Sequence, residues 1–296
     1  MPLSGQAEIA VADFMKREKL GPGFAETVAR VYRPLAVRIE SLARTRPGLI
    51  VGFCGSQGSG KSTGVALLKI LLEAEGLRAA ALSIDDLYLS KEDRQNLADE
   101  VHPLLATRGP PGTHDVAMGE EVLDALAKPQ ETAIPRFDKA RDTRMDSSHW
   151  DRFQGPADVI LFEGWCVGAR PQSSDALAQP VNALERDSDP DGRWRAYVND
   201  ALAGPYQHLF GRIGFLVFLA APSFDVVAGW RKEQEAKLRA HTEGSSHVMS
   251  DEQVDRFVQF YERLTRFMLA EMPSRADAVV RLDANREPLE LDIHIR

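Results

Sequence analysis

The sequence predicts an α/β protein built on a doubly wound parallel sheet. Three observations carry that prediction: short apolar runs without alternation recur along the chain, helical patterns lie between them, and the first run leads straight into a glycine-rich turn and a helix. The runs are LIVGFC (49–54), AAALSI (79–84), DVILF (158–162) and IGFLVFLA (213–220), with a weaker one at DAVVRL (277–282). A strand covered on both faces needs apolar side chains at every position, so these runs do not alternate.

Ahead of the first strand, residues 1–46 predict an N-terminal helical extension. Phe24, Val28, Val31, Leu35 and Ile39 recur at spacings of three and four, and Pro47-Gly48 closes the segment. The clearest helix between strands runs from Lys61 to Glu75, rich in Leu and ended by Gly76, where a left-handed cap suits glycine. Two polar stretches, 167–193 and 241–251, predict loops. The first belongs to an insertion over about 167–212 and the second to a lid over about 229–251. The expected organisation is the extension over 1–46 followed by one domain over 47–296.

Composition narrows the function classes. With 296 residues, 44% hydrophobic and 27% charged, the chain has material for a sizeable core, which excludes wholesale disorder. Thirty-six Lys and Arg against 44 Asp and Glu leave a net charge of -8, which disfavours nucleic acid as a partner. A small anion needs only a local positive pocket. Two dispersed cysteines, Cys54 and Cys166, make neither a disulfide scaffold nor a zinc ribbon, and packed, inert thiols are expected. The seven histidines lack ligand spacing for zinc, and no GxSxG elbow occurs. No segment reaches the ~18 apolar residues of a membrane span, so a soluble, cytoplasmic protein is expected.

The strongest motif is GSQGSGKST, comprising Gly55, Ser56, Gln57, Gly58, Ser59, Gly60, Lys61, Ser62 and Thr63, which satisfies GxxxxGK(S/T). An apolar strand precedes it and a helix follows, so backbone N–H groups and the helix N-terminus converge on polyphosphate oxygens. Lys61 reaches the β and γ groups and Ser62 ligates Mg²⁺. The metal also needs a carboxylate. DVILFEGW supplies Glu163 at the C-terminal end of a strand, the edge where open α/β sheets bind ligands. Glutamate there, in place of the commoner aspartate, points away from GTPases and toward small-molecule kinases.

SIDDLYL places Asp85 and Asp86 at the end of the second strand, on the same edge. A carboxylate there accepts the proton of an attacking hydroxyl, and Asp85 is the expected base, with Asp86 as the alternative or as a helix cap. Tyr88, four residues after the strand, either hydrogen-bonds the acceptor or packs.

SIDDLY resembles the DSFY turn of uridine kinase and phosphoribulokinase relatives, and IPRFDKARDTR (134–144) resembles their PxYDF segment with its trailing arginine. A longer series is closer to another branch. SIDDLYLSKEDR, HPLLATRGPPGTHD, IPRFDKA, ILFEGWCVGARPQ, WRKEQEAKLR and YERLTR, in that order over roughly 49–283, resemble the plant-type D-glycerate 3-kinases and their bacterial and fungal homologues. The resemblance implies a P-loop kinase fold, ATP with Mg²⁺, and conversion of D-glycerate to 3-phosphoglycerate. A carboxylate substrate calls for guanidinium or comparable donors. Arg108, His114, Arg136 and Arg144 lie in turn-like contexts between the second strand and Glu163, with Arg108 of RGPPGTHD the first choice. The resemblance also implies a phosphate-covering lid with Arg231, Lys237 and Arg239. Glu233 with Lys237 and Glu235 with Arg239 stand four apart, however, as in a salt-bridged solvent face. Two rival readings remain open: another small-metabolite kinase acting on uridine, pantothenate or a ribulose phosphate, and a nucleotide-driven regulatory ATPase.

Overall fold

The computed structural model describes residues 5–294 except 242–248, and no side chains from 237 to 241. Five strands form a parallel sheet: β1 (Leu49–Gly55), β2 (Ala79–Ser83), β3 (Val159–Gly164), β4 (Phe215–Ala220) and β5 (Ala278–Leu282). A sixth, β6 (Pro288–Ile293), adds antiparallel to β5, and the spatial order is β6-β5-β4-β1-β3-β2. The five apolar runs are thus the five parallel strands. β6 was not expected, because PLELDI alternates charge with apolar residues and lies half-exposed at the sheet edge.

Side-chain alternation splits the core in two. Ile50, Cys54, Leu82, Ile160, Phe162, Leu216 and Phe218 point to one face, while Val51, Phe53, Val159, Leu161, Phe215, Val217 and Leu219 point to the other. The first face is covered by helices Val116–Leu126, Pro205–Phe210 and Asp251–Glu271. Over the second lie the helix Lys61–Ala74 and the N-terminal helices Gly5–Arg17 and Arg33–Thr45. Of the five expected core positions in 1–46, Val28, Val31, Leu35 and Ile39 are buried and Phe24 is half-buried. Each fully buried side chain of this size contributes roughly 1.5–3 kcal/mol, so this segment shares the core of the sheet it covers.

The stretch 167–193 is not the continuous loop expected. It contains the helices Ser174–Leu177 and Ala183–Ser188, the second capped by Asn182, whose side chain accepts from the Glu185 amide at 3.0 Å. The segment is held by buried charge rather than apolar periodicity: Arg263 grips Glu185 at 2.7 Å and Arg195 grips Asp189 at 3.0 Å. Of the polar stretch 241–251, residues 242–248 lie outside the described residues. Helix Asp251–Glu271 opens with a capping box between Ser250 and Gln253.

The chain leaves β1 toward β2 on one side and, after β3, crosses to β4 on the other. That reversal opens a crevice at the C-terminal ends of the central strands.

Candidate active site

Three chain segments meet at that crevice: the turn after β1, the end of β3 and the turn after β2. The first passes from Gly55 to the helix beginning at Lys61. Its path needs left-handed backbone at Gly58 (φ +75°) and Gly60 (φ +87°), and at Gly58 a Cβ would stand 2.9 Å from the Cβ of Trp230. Only glycine meets both demands. Gly60 provides no side-chain cap, which leaves the first-turn N–H groups of Lys61, Ser62 and Thr63 directed at an outside acceptor. The Ser56 and Ser59 hydroxyls are buried without a partner, each a cost of roughly 1–3 kcal/mol that a phosphate oxygen would remove. Tyr261, whose hydroxyl donates to the Arg108 carbonyl at 3.1 Å, stands beside Gln57 of the turn.

Arg286, which the sequence reading did not single out, braces this turn from outside. Its Nε donates to the Gly58 carbonyl at 2.8 Å, its guanidinium lies 5.2 Å over the Trp230 ring, and it pairs with Glu233 at 2.7 Å.

At the end of β3, Glu163 is buried, and its Oε1 accepts from Ser62 Oγ at 3.0 Å. Its Oε2 is buried and has no partner. A hydroxyl and a carboxylate oxygen held together with one carboxylate oxygen unsatisfied fit a hard divalent cation such as Mg²⁺.

The surroundings of Asp85 are assembled differently. Strand β2 ends in a 3₁₀ turn, Ile84–Leu87, that presents Asp85 and Asp86 in different directions. Asp85 Oδ1 accepts from the Tyr88 hydroxyl at 2.8 Å, and Oδ2 accepts from Lys139 Nζ at 2.5 Å. Burial raises the affinity of Asp85 for a proton, but the ammonium groups of Lys139 and Lys61 and the two hydrogen bonds outweigh it, so the carboxyl is held well below the usual range. Asp86 faces away: it pairs with Arg136 at 2.7 Å and accepts from the Phe137 amide at 3.0 Å. It does not cap the next helix, which Ser90 caps.

Arg136 also pairs with Asp151, and together these contacts anchor a small hairpin, Phe137–Asp138 paired with Thr143–Arg144, over the site. The tip is fixed by Asp142 (φ +55°), which Arg94 and Arg108 each hold at 2.5 Å. Arg108 also lies 5.8 Å over the Phe137 ring and donates to the Lys139 carbonyl at 3.3 Å. Arg144 donates to the Tyr88 carbonyl at 3.2 Å and pairs with Asp115 at 3.3 Å. The structure therefore brings Tyr88, Arg108, Arg136 and Arg144 to one wall, each arginine matched to a protein carboxylate.

His114 stacks on Tyr88 with ring centroids 4.7 Å apart, and its Nδ1 lies 2.6 Å from the Tyr206 hydroxyl. Burial lowers its pKa to about 4, against the opposing pull of Asp85. Its Nε2 is buried without a partner.

On helix Phe224–His241, Arg231 pairs with Glu235 at 2.8 Å and lies 5.5 Å over Phe257. The side chains of Lys237 and Arg239 lie outside the described residues. Sequence reading missed Lys139, Arg94, Asp142 and Tyr206. The motif IPRFDKARDTR contains Lys139 and Asp142, but nothing in the spacing separates them from ordinary surface charge.

A polyphosphate turn and a carboxylate at a sheet switch point, faced by a wall of paired charges, are the features of a P-loop kinase. No protein-family model matches the chain. It is 31% identical to the chloroplastic D-glycerate 3-kinase of Arabidopsis thaliana over 82% of this chain, and spans about half (54%) of that relative. It is 33% identical to mug58 of Schizosaccharomyces pombe, described as an uncharacterized kinase, over 81% of this chain and 90% of the relative. A solved structure, the D-glycerate 3-kinase of Cryptococcus neoformans, superposes with a TM-score of 0.73 at 26% identity, covering 93% of this chain and all of the other. The chain belongs to the P-loop kinase family that includes these D-glycerate 3-kinases.

Proposed function

We propose that the protein transfers the γ-phosphoryl group of ATP, in the presence of Mg²⁺, to a hydroxyl of D-glycerate, giving 3-phosphoglycerate. The observation that carries this reading is Asp85, held as a carboxylate beside Lys61 on the same sheet edge as the Ser62–Glu163 pair. The names of the relatives support the choice of acceptor. Residues 55–63 bind the triphosphate, with Lys61 neutralising charge on the β and γ groups. Ser62 and Glu163 would hold the metal, which would neutralise phosphate charge when bound. Asp85 orients the hydroxyl and takes its proton as the oxygen bonds to phosphorus and ADP departs. Proton transfer of this kind is worth ~10²- to 10⁴-fold.

Tyr88, Arg108, His114, Arg136 and Arg144 form the acceptor pocket. Arg231, Lys237 and Arg239 belong to a lid over the transferring group. One domain over 47–296 carries the chemistry, with residues 1–46 as an extension and 167–212 as an insertion. Two buried, unpaired thiols suit a cytoplasmic setting, and no helix among the described residues is long and apolar enough to cross a membrane.

The test is incubation with Mg-ATP and a panel of D- and L-glycerate, glycerol, uridine, pantothenate and ribulose 5-phosphate, with products identified by mass spectrometry and NMR. D-glycerate should be preferred and should yield 3-phosphoglycerate. Faster turnover of uridine or pantothenate, or ADP release indifferent to every acceptor, overturns the reading.

A further inference from the structure

The three arginines of the acceptor wall are spoken for. Arg136 ties Asp86 and Asp151, Arg108 ties Asp142, and Arg144 ties Asp115 and the Tyr88 carbonyl. Withdrawing any of them to a ligand would release the hairpin they hold. Lys139 is different. Its side chain is 59% exposed, and its carboxylate partner is Asp85, the proposed base. Its backbone is fixed, because Asp138 Oδ1 accepts from the Ala140 and Arg141 amides at 2.9 and 3.0 Å, and the Arg94 and Arg108 grip on Asp142 closes the turn. Its stem is a flexible four-carbon chain ending in a point charge. The hairpin thus delivers a movable ammonium to a chosen place, within electrostatic reach of Glu163 as well as Asp85.

A carboxylate that accepts from an ammonium at 2.5 Å and a phenol at 2.8 Å is a poor proton acceptor. For Asp85 to take a hydroxyl proton, the ammonium must go elsewhere. Building on the kinase reading above, we propose that Lys139 is the residue that recognises the acceptor's carboxylate, leaving Asp85 for that carboxylate and so freeing the base only when an acidic acceptor is bound. A hydroxy acid brings both the group that takes the ammonium and the hydroxyl that needs the base. Water and neutral alcohols bring only the second, so they leave Asp85 latched. One ion-pair exchange then serves specificity and guards ATP against hydrolysis.

Lys139→Met removes the charge at similar length, and Lys139→Arg keeps it. In Lys139→Met, kcat/KM for D-glycerate should fall by roughly 10²-fold, mainly through KM, because a charge-assisted contact to the carboxylate is lost. With glycerol kcat/KM should hold or rise, so the preference for the acid over the neutral triol collapses. Acceptor-independent ADP release should rise several-fold, and Lys139→Arg should recover part of the preference. Nucleotide Kd by calorimetry should stay within threefold. Thermal melting of each variant checks folding, which an exposed side chain at a braced turn should leave intact. Preserved discrimination between D-glycerate and glycerol in Lys139→Met overturns the inference while leaving the kinase reading standing. Equal losses in nucleotide and D-glycerate affinity also overturn it, since Lys139 would then serve the phosphates. A wild-type protein that prefers a neutral acceptor sinks both proposals.

Discussion

The two halves of the crevice are built on opposite principles. On the nucleotide side, nine consecutive residues form the turn, and its shape comes from the local backbone, from left-handed glycines and an uncapped helix N-terminus, with Glu163 joined to Ser62 across 101 positions. On the acceptor side almost every contact joins residues far apart in the chain. Asp85 meets Lys139 across 54 positions, Asp86 meets Arg136 across 50, and His114 meets Tyr206 across 92. One side is a shape that glycine permits, the other a scaffold of matched charges. The first therefore tolerates little backbone change, and the second little change of charge.

The largest effect should come from the nucleotide side. Lys61→Ala should lower kcat/KM by roughly 10³-fold or more, about 4 kcal/mol, because its ammonium opposes charge developing on the transferred group. Steady-state kinetics with an ATP titration measures it, and near-wild-type turnover would remove the nucleotide site from this edge of the sheet. Next comes Asp85→Asn, which keeps shape but loses the basic oxygen. A fall in kcat of roughly 10²-fold, about 3 kcal/mol, is expected, near the low end for general-base loss because a loose phosphoryl transition state asks for little early proton removal. Nucleotide Kd should barely change.

Asp86→Asn sharpens the contrast between the two adjacent carboxylates. It retains an oxygen for the Phe137 amide but loses the charge that holds Arg136. The expected result is about 1.5–2 kcal/mol of lost stability, less than for a fully buried pair because the Arg136 side chain is 33% exposed, together with a raised acceptor KM from a loosened hairpin. Urea unfolding and acceptor kinetics measure the two parts. If Asp86→Asn is the dead enzyme and Asp85→Asn is active, the base has been assigned one residue too early.

This division also explains what could be read from the sequence. Strands β1 to β5 announced themselves because strands covered on both faces are apolar almost throughout, exposed Arg281 in β5 excepted, and GSQGSGKST did so because its turn needs glycines within a few residues of one another. Asp85 was legible from its place after β2. Lys139, by contrast, follows an unremarkable Phe-Asp, and its contact with Asp85 arises only when the hairpin folds back over the turn after β2. β6 and the helices within 167–193 were hidden for a related reason: charge pairs and edge pairing hold them, and neither leaves an apolar period. Chemistry placed by a contiguous motif or a strand end, as at Lys61 and Glu163, is written in the sequence, while chemistry made by a hairpin folding back, as at Lys139, is written only in the fold.

The smallest effect concerns His114, whose buried imidazole stacks on Tyr88. Burial holds its pKa at about 4 against an ordinary 6.5, so the folded protein binds its proton less readily than the unfolded chain does. Stability from the neutral imidazole is complete above about pH 6.5 and drains as pH falls toward 4, because only the unfolded chain takes up the proton in that window. Between pH 7.5 and 5.5 this group should cost the wild type about 1 kcal/mol of unfolding free energy. His114→Asn keeps an acceptor oxygen near Nδ1 for the Tyr206 hydroxyl and removes the titration, so its stability should fall less than the wild type's over that interval, by about the same 1 kcal/mol. Urea denaturation of both proteins at the two pH values gives the difference, in which every other titrating group cancels. Parallel losses in the two proteins would mean that the imidazole is already free to take a proton in the folded state, and that the acceptor wall is more open to water at His114 than its packing against Tyr88 and Tyr206 implies.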